Sequence, residues 1–290
     1  MARPALASEG NRQFFIECRR GRERLEFTEH GSGDAWVVLL PPLLVPRQVH
    51  DHTARALAAA GLHVLVLDPL GHGRSDRPAD PLVYSVTAFA EQVVALLDHV
   101  GATRAVVGGS SFGANIALEV AAIAPERVCG LVLDAPVLDN ALAPQLAVLA
   151  PSMYLARYAP LALRTLRLAS RPVPTRWLPE VVRLARDTID QRPSAVAAVI
   201  HGVLFGRIAP SATQREAITA PALVLARGRD PLHPASDARM LAAQLPAATL
   251  ESATMPLEWR RHPERIDMVV TRFARECLRS ALRGRRTRSS

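Results

Sequence analysis

The chain has 290 residues, of which 49% are hydrophobic and 21% charged. That balance excludes the disordered and fibrous classes, and the length suits one large α/β domain carrying an insertion as well as two domains in tandem. The net charge of +8 rests on arginine alone, since the chain has no lysine. With few aromatics and no nucleic-acid motif, it belongs to solvated helix faces and not to a nucleic-acid partner.

In chain order, Phe14-Phe15-Ile16 and Leu25-Glu26-Phe27 predict two short strands around a turn at Gly21. After the turn cluster His30–Asp34, the run Trp36–Leu40 is unbroken and apolar, as in a strand buried on both faces of a parallel sheet. Helices and strands then alternate. A helix around Gln48–Ala60 precedes a strand His63–Leu67, and a helix around Thr87–Val100 precedes a strand Ala105–Val107. A helix Ala114–Ala124 follows, then a strand Val128–Leu133. This order predicts βαβ crossovers and a mostly parallel sheet with helices on both faces. From about Ala135 to Ile218 the strand signals stop. Tyr154–Leu168, Trp177–Ile189 and Ala195–Phe205 predict helices joined by Pro-rich turns. A strand Ala222–Ala226, a helix Ala235–Leu245, a short strand near Ala248–Glu251 and an amphipathic helix Pro263–Leu282 complete the pattern. The expected division is a core over residues 1–135 and 219–282, a helical insertion over 136–218, and a basic tail over 283–290.

Cys18, Cys129 and Cys277 are odd in number and far apart, which predicts reduced thiols in a cytoplasmic protein. Residues 1–13 lack the apolar core of a signal peptide, and no run approaches the roughly 20 apolar residues of a membrane span.

The segment Gly109-Ser110-Ser111-Phe112-Gly113 lies between a predicted strand and a predicted helix. A G-x-S-x-G in that setting is a nucleophile elbow: the serine sits on a strained turn, and its glycine neighbours let helix and strand approach closely. The turn aims the hydroxyl out of the carboxyl edge of the sheet, where ligands bind. The first amide of the following helix, Phe112 N–H, is then placed to hold an oxyanion.

Beyond the elbow, Asp68-Pro69-Leu70-Gly71-His72-Gly73-Arg74-Ser75-Asp76 resembles the D-x-x-G-x-G-x-S segment of the α/β-hydrolase superfamily, and Val107–Ala114 resembles its elbow. Gly228-Arg229-Asp230 before Pro234 is similar to its acid loop, and His262-Pro263-Glu264-Arg265 to the start of its last helix. The resemblance covers nearly the whole chain. It implies a serine-nucleophile, cap-domain type α/β-hydrolase, with the cap inserted after the sixth strand. Ser111 would be the nucleophile and Asp230 the acid, with Asp134 a second choice of acid. Asp68, Gly71, Gly73, Ser75 and His72 would build a loop scaffold.

Two positions depart from the superfamily. Its usual His-Gly after the third strand is Pro41-Pro42 here, so the second oxyanion N–H falls to Leu43, because proline has none. The usual base His is absent from Thr254-Met255-Pro256-Leu257-Glu258. His262 is the first candidate to replace it, with His233, His201, His50, His52 and Glu258 as others; His233 would have to fold its ring back toward Ser111. The expected activity is hydrolysis of a small, largely apolar ester, thioester or lactone through a Ser111 acyl-enzyme, with no cofactor and no metal. The rival readings are a ligand-binding homologue without turnover and a non-hydrolytic lyase, isomerase or cyclase.

Overall fold

The computed structural model describes residues 10–18, 21–159, 165, 192–228, 230–252 and 263–286. Eight strands form one sheet in the order β1-β2-β4-β3-β5-β6-β7-β8. β1 (Gly10–Cys18) and β2 (Gly21–His30) make the antiparallel edge expected around Gly21, and β2 runs antiparallel to β4 (His63–Asp68). From β4 through β3 (Trp36–Leu40), β5 (Ala105–Ser110), β6 (Val128–Asp134), β7 (Ala222–Ala226) and β8 (Ala248–Ser252) every pairing is parallel.

The continuous apolar runs of β3 to β6 follow from burial on both faces. Val37, Leu39, Val64, Val66, Val106 and Val132 face one core, shared with α1 (Asp51–Ala59) and the last helix. Val38, Leu40, Leu65, Leu67, Val107, Leu131 and Leu133 face the other, covered by α2 (Val86–His99) and α3 (Phe112–Ile123). Each fully buried Leu or Val contributes on the order of 1.5–3 kcal/mol, and the alternation fixes which residues of a strand lie on which face.

Between β6 and β7 the described residues contain only helices: α4 (Leu142–Tyr158), α5 (Pro193–Leu204) and α6 (Ala212–Glu216). Then come α7 (Ala235–Gln244) and α8 (Pro263–Arg286). α4 departs from the expected helix at Tyr154–Leu168. It starts twelve residues earlier and carries Pro151 in its interior, a residue that reads as a helix stop because it donates no hydrogen bond. The helix expected over Trp177–Ile189 lies outside the described residues.

Buried polar groups tie this insertion to the sheet domain. Asn115 of α3 donates to the carbonyls of Val137 (2.7 Å) and Ile208 (2.8 Å) and accepts from Val137 N–H (3.1 Å). Asp237 of α7, fully buried, accepts from the amides of Leu138, Asn140 and Ala141 at 2.7–3.0 Å. Among the described residues no helix is long and apolar enough to cross a membrane.

Candidate active site

Ser111 stands between β5 and α3 with φ 56° and ψ −123°, a conformation that costs a non-glycine residue on the order of 1–3 kcal/mol. Its amide donates to the Asp134 carbonyl (2.8 Å), and its carbonyl accepts from Ala114 N–H (2.9 Å), so both neighbouring elements hold the turn. The glycines act as the motif predicts. A Cβ on Gly109 would sit 2.6 Å from the Leu40 carbonyl oxygen, and one on Gly113 would collide with the carbonyls of Leu40 and Pro41. Among the described residues, the non-glycine residues with positive φ are Leu44, Ser111 and Ala135. They follow β3, β5 and β6, so backbone strain collects along the carboxyl edge around the serine.

The ring of His233 meets the Ser111 hydroxyl, with Nε2 2.8 Å from Oγ. Its Nδ1 is 2.8 Å from Asp230 Oδ2. The other carboxylate oxygen, Oδ1, accepts from the amides of Leu232 (3.0 Å) and His233 (3.3 Å), which closes the chain into a tight turn after β7. One aspartate thus caps the turn with one oxygen and holds the histidine with the other. Burial pushes the Asp230 carboxyl up, but the His233 hydrogen bond and charge, the Leu232 amide and nearby Arg227 outweigh it and bring it down to about 2. An ionised Asp230 can only accept, so the Nδ1 proton points to it and the Nε2 lone pair faces Ser111.

The other candidates are engaged elsewhere. Asp134 accepts from Ser110 Oγ (2.6 Å) and, through its two oxygens, from Nε and Nη2 along one edge of the Arg227 guanidinium, and among the described residues makes no bond to a histidine ring. Burial raises its carboxyl, yet Arg227 and Ser110 hold it below the ordinary value. His50 Nε2 lies 2.9 Å from the Leu40 carbonyl, and His52 pairs with Asp267 at 2.8 Å on the α1–α8 side. His201 is exposed, its ring tilted over Phe205. His72 is buried, its Nδ1 3.0 Å from the Leu70 carbonyl and its ring edge-on to Phe89, and burial lowers it to about 4. That neutral ring fits the scaffold role expected of it. His262 and Glu258 lie outside the described residues.

The two amides expected to hold an oxyanion are Phe112 N–H, at the start of α3, and Leu43 N–H, in the loop after β3. Leu40 pairs with Gly109, and the Pro41 carbonyl abuts Gly113, so that loop runs beside the elbow.

The Asp68–Asp76 loop is a scaffold. Asp68 and Arg47 form a fully buried ion pair. Asp68 also accepts from Arg47 N–H (2.8 Å) and Arg74 N–H (3.0 Å), and Gly73 packs on its carboxylate too closely for any Cβ. Arg47 Nε donates to Thr28 Oγ1 (2.7 Å).

A family model described as the alpha/beta hydrolase fold matches residues 31–254, well over half the chain. The chain belongs to the α/β-hydrolase fold family. This α/β-hydrolase is 36% identical over 126 residues to epoxide hydrolase A of Mycobacterium tuberculosis (strain ATCC 25618 / H37Rv), a stretch covering 42% of this chain and 38% of that protein. Against solved structures, it overlays a thermophilic esterase from Thermogutta terrifontis with a TM-score of 0.71 at 21% identity, over 92% of this chain and 99% of the esterase. It overlays an enol-lactonase from Burkholderia xenovorans LB400 with a TM-score of 0.71 at 20% identity, over 89% and 98% of the two chains. At these identities the structural likeness bears on the fold of this α/β-hydrolase.

Sequence reasoning ranked His233 low because it expected the base after the last strand. The signal was present: an Asp and a His three residues apart, both followed by proline (Asp230-Pro231-Leu232-His233-Pro234), in the loop leaving β7, two strands from the elbow strand β5. A turn of that spacing brings residues i and i+3 to one side.

Proposed function

We propose that this chain hydrolyses small, largely apolar esters, thioesters or lactones through an acyl-enzyme on Ser111, with His233 as general base and Asp230 as its orienting acid. One observation carries the reading: the His233 ring bridges Ser111 Oγ and Asp230 Oδ2 at 2.8 Å on each side. In this scheme Ser111 Oγ attacks the carbonyl carbon as its proton passes to His233 Nε2. Negative charge develops on the carbonyl oxygen against Phe112 and Leu43 N–H. The imidazolium then gives its proton to the leaving alkoxide or thiolate, and the acyl group stays on Ser111. Water, deprotonated by the same nitrogen, attacks the acyl carbon and releases the acid, returning the proton to Ser111.

The nucleophile also selects among the activities named for relatives. Serine attack on an epoxide carbon would leave an ether, which offers water no carbonyl to attack, whereas attack on an ester, thioester or lactone leaves a hydrolysable acyl group. The esterase and enol-lactonase overlays agree with a carbonyl substrate. Residues 136–218 serve in this reading as the cap that shapes the pocket, and the free thiols fit a cytoplasmic setting.

A fluorophosphonate probe should label the wild-type chain at Ser111 and leave Ser111→Ala unlabelled, as read by intact-protein mass spectrometry. No labelling of the wild type, or equal labelling of both, overturns the proposal and favours a binding protein without turnover. Asp230→Asn should reduce kcat for p-nitrophenyl butyrate by about 10,000-fold with KM changed little, because the amide turns the ring to the wrong tautomer.

A further inference from the structure

Among the described residues, a side chain of the helical insertion bonds the turn that carries His233. Gln145 Nε2 donates to the carbonyl of Leu232, the residue between acid and base, at 3.0 Å. Gln145 lies on the inner face of α4, at helical spacing from Leu149 and Met153, which pack against the core, and on toward buried Ala156. Elsewhere on α4 Leu142, Leu146, Val148, Tyr154, Leu155 and Tyr158 are 44–68% exposed. Half-buried Gln145 is thus the polar member of an otherwise apolar inner face, and its side-chain amide reaches the base turn.

A second set of bonds makes that contact consequential. α7 begins just after Pro234, and Asp237 in its first turn grips the amides of Leu138, Asn140 and Ala141 and the Asn140 side chain (2.7 Å). Residues 138–145 and 232–237 are therefore fastened together at both ends, through Asp237 on one side and Gln145 on the other. Within the turn, Asp230 Oδ1 fixes the amides of Leu232 and His233, but nothing there holds the outward Leu232 carbonyl. Rotation of that peptide would swing the His233 backbone, and a displacement of about 1 Å in a reacting group can cost on the order of a hundredfold in rate.

We propose that Gln145 is a positioning residue for His233: α4 holds the Leu232 carbonyl and so sets the approach of the imidazole to Ser111. This rests on the reading of His233 as the base. It assigns to the insertion a part in assembling the acid–base pair, beyond shaping a pocket.

The test compares wild type, Gln145→Met, which keeps the side-chain length and removes the donor, and Leu146→Ser at an exposed position of α4. Two readouts are taken on the full chain. One is the second-order rate of fluorophosphonate labelling. The other is the downfield proton resonance of His233 Nδ1 in its bond to Asp230, assigned by its loss in His233→Gln. Gln145→Met should slow labelling about tenfold and shift or broaden that resonance, with the thermal midpoint unchanged. Leu146→Ser should change neither. A wild-type rate, or slower labelling with the resonance unmoved, overturns the assignment. If the wild type itself fails to label, the hydrolase reading falls, and the resonance alone decides whether Gln145 positions the ring.

Discussion

Replacement of His233 by alanine is expected to lower kcat/KM for p-nitrophenyl butyrate by about 10,000-fold or more, while His262→Ala stays within about threefold of wild type. The contrast follows from the proposed assignment of the base. A serine hydroxyl is a weak nucleophile until a base takes its proton, and among the described residues the ring in hydrogen-bond reach of Ser111 Oγ is that of His233. Removing Asp230's partner also leaves its carboxylate with only the turn amides, but this group is partly exposed and water can replace the imidazole. His233→Ala should therefore fold normally, with a thermal midpoint within a few degrees of wild type. Steady-state kinetics on the two variants decide the matter. Full activity in His233→Ala, or loss in His262→Ala alone, would move the base back to the region before the last helix.

The largest stability effect is expected at Arg47→Met, on the order of 3–5 kcal/mol in urea unfolding. The guanidinium is fully buried and meets Asp68, Thr28 Oγ1, Asn11 Oδ1 (3.2 Å) and Glu26 Oε2 (3.6 Å). Methionine fills the volume but abandons a carboxylate that has no access to water. The double variant Arg47→Met/Asp68→Asn should recover part of the loss, since the stranded charge goes with it, although the asparagine still has to serve the amides of Arg47 and Arg74. A single variant within 1 kcal/mol of wild type would show that the pair does not anchor the loop. Because Asp68 closes the end of β4 against the segment after β3, the same variant should loosen the approach to Leu43.

The fold was legible where periodicity is decided by burial. Strands such as His63–Leu67 are apolar on both faces because helices cover both, and the glycines around Ser111 announce a close crossing that a Cβ would block. The limits of α4 were not legible, because Pro151 breaks the local rule and packing against α5 compensates. At the site, Ser111 and Asp230 are found at the carboxyl edge where their motifs placed them. The approach of His233 to Ser111 was not legible, for a physical reason. Periodicity and motif spacing describe the path of the chain, whereas the meeting of His233 with Ser111, 122 residues away, depends on the β5-β6-β7 order and on a side-chain direction set by the Asp230 turn. Gln145 gave no signal, since a glutamine on a helix reads as solvated surface until the partner carbonyl is seen.

In the proposed mechanism the acid and the base share one four-residue turn, which makes them a portable part. When the two arise from separate loops, a new lineage must preserve two backbone paths and their relative spacing to keep the pair. Here Asp230 shapes the turn that presents His233, so the two move as one piece and need only a strand end near a serine to act on. A relative with an aspartate at the start of the corresponding turn would be one histidine substitution away from a second place to seat its base. The loop after β8 would then be free to vary in length and composition, and selection for new substrates could act there without touching proton transfer.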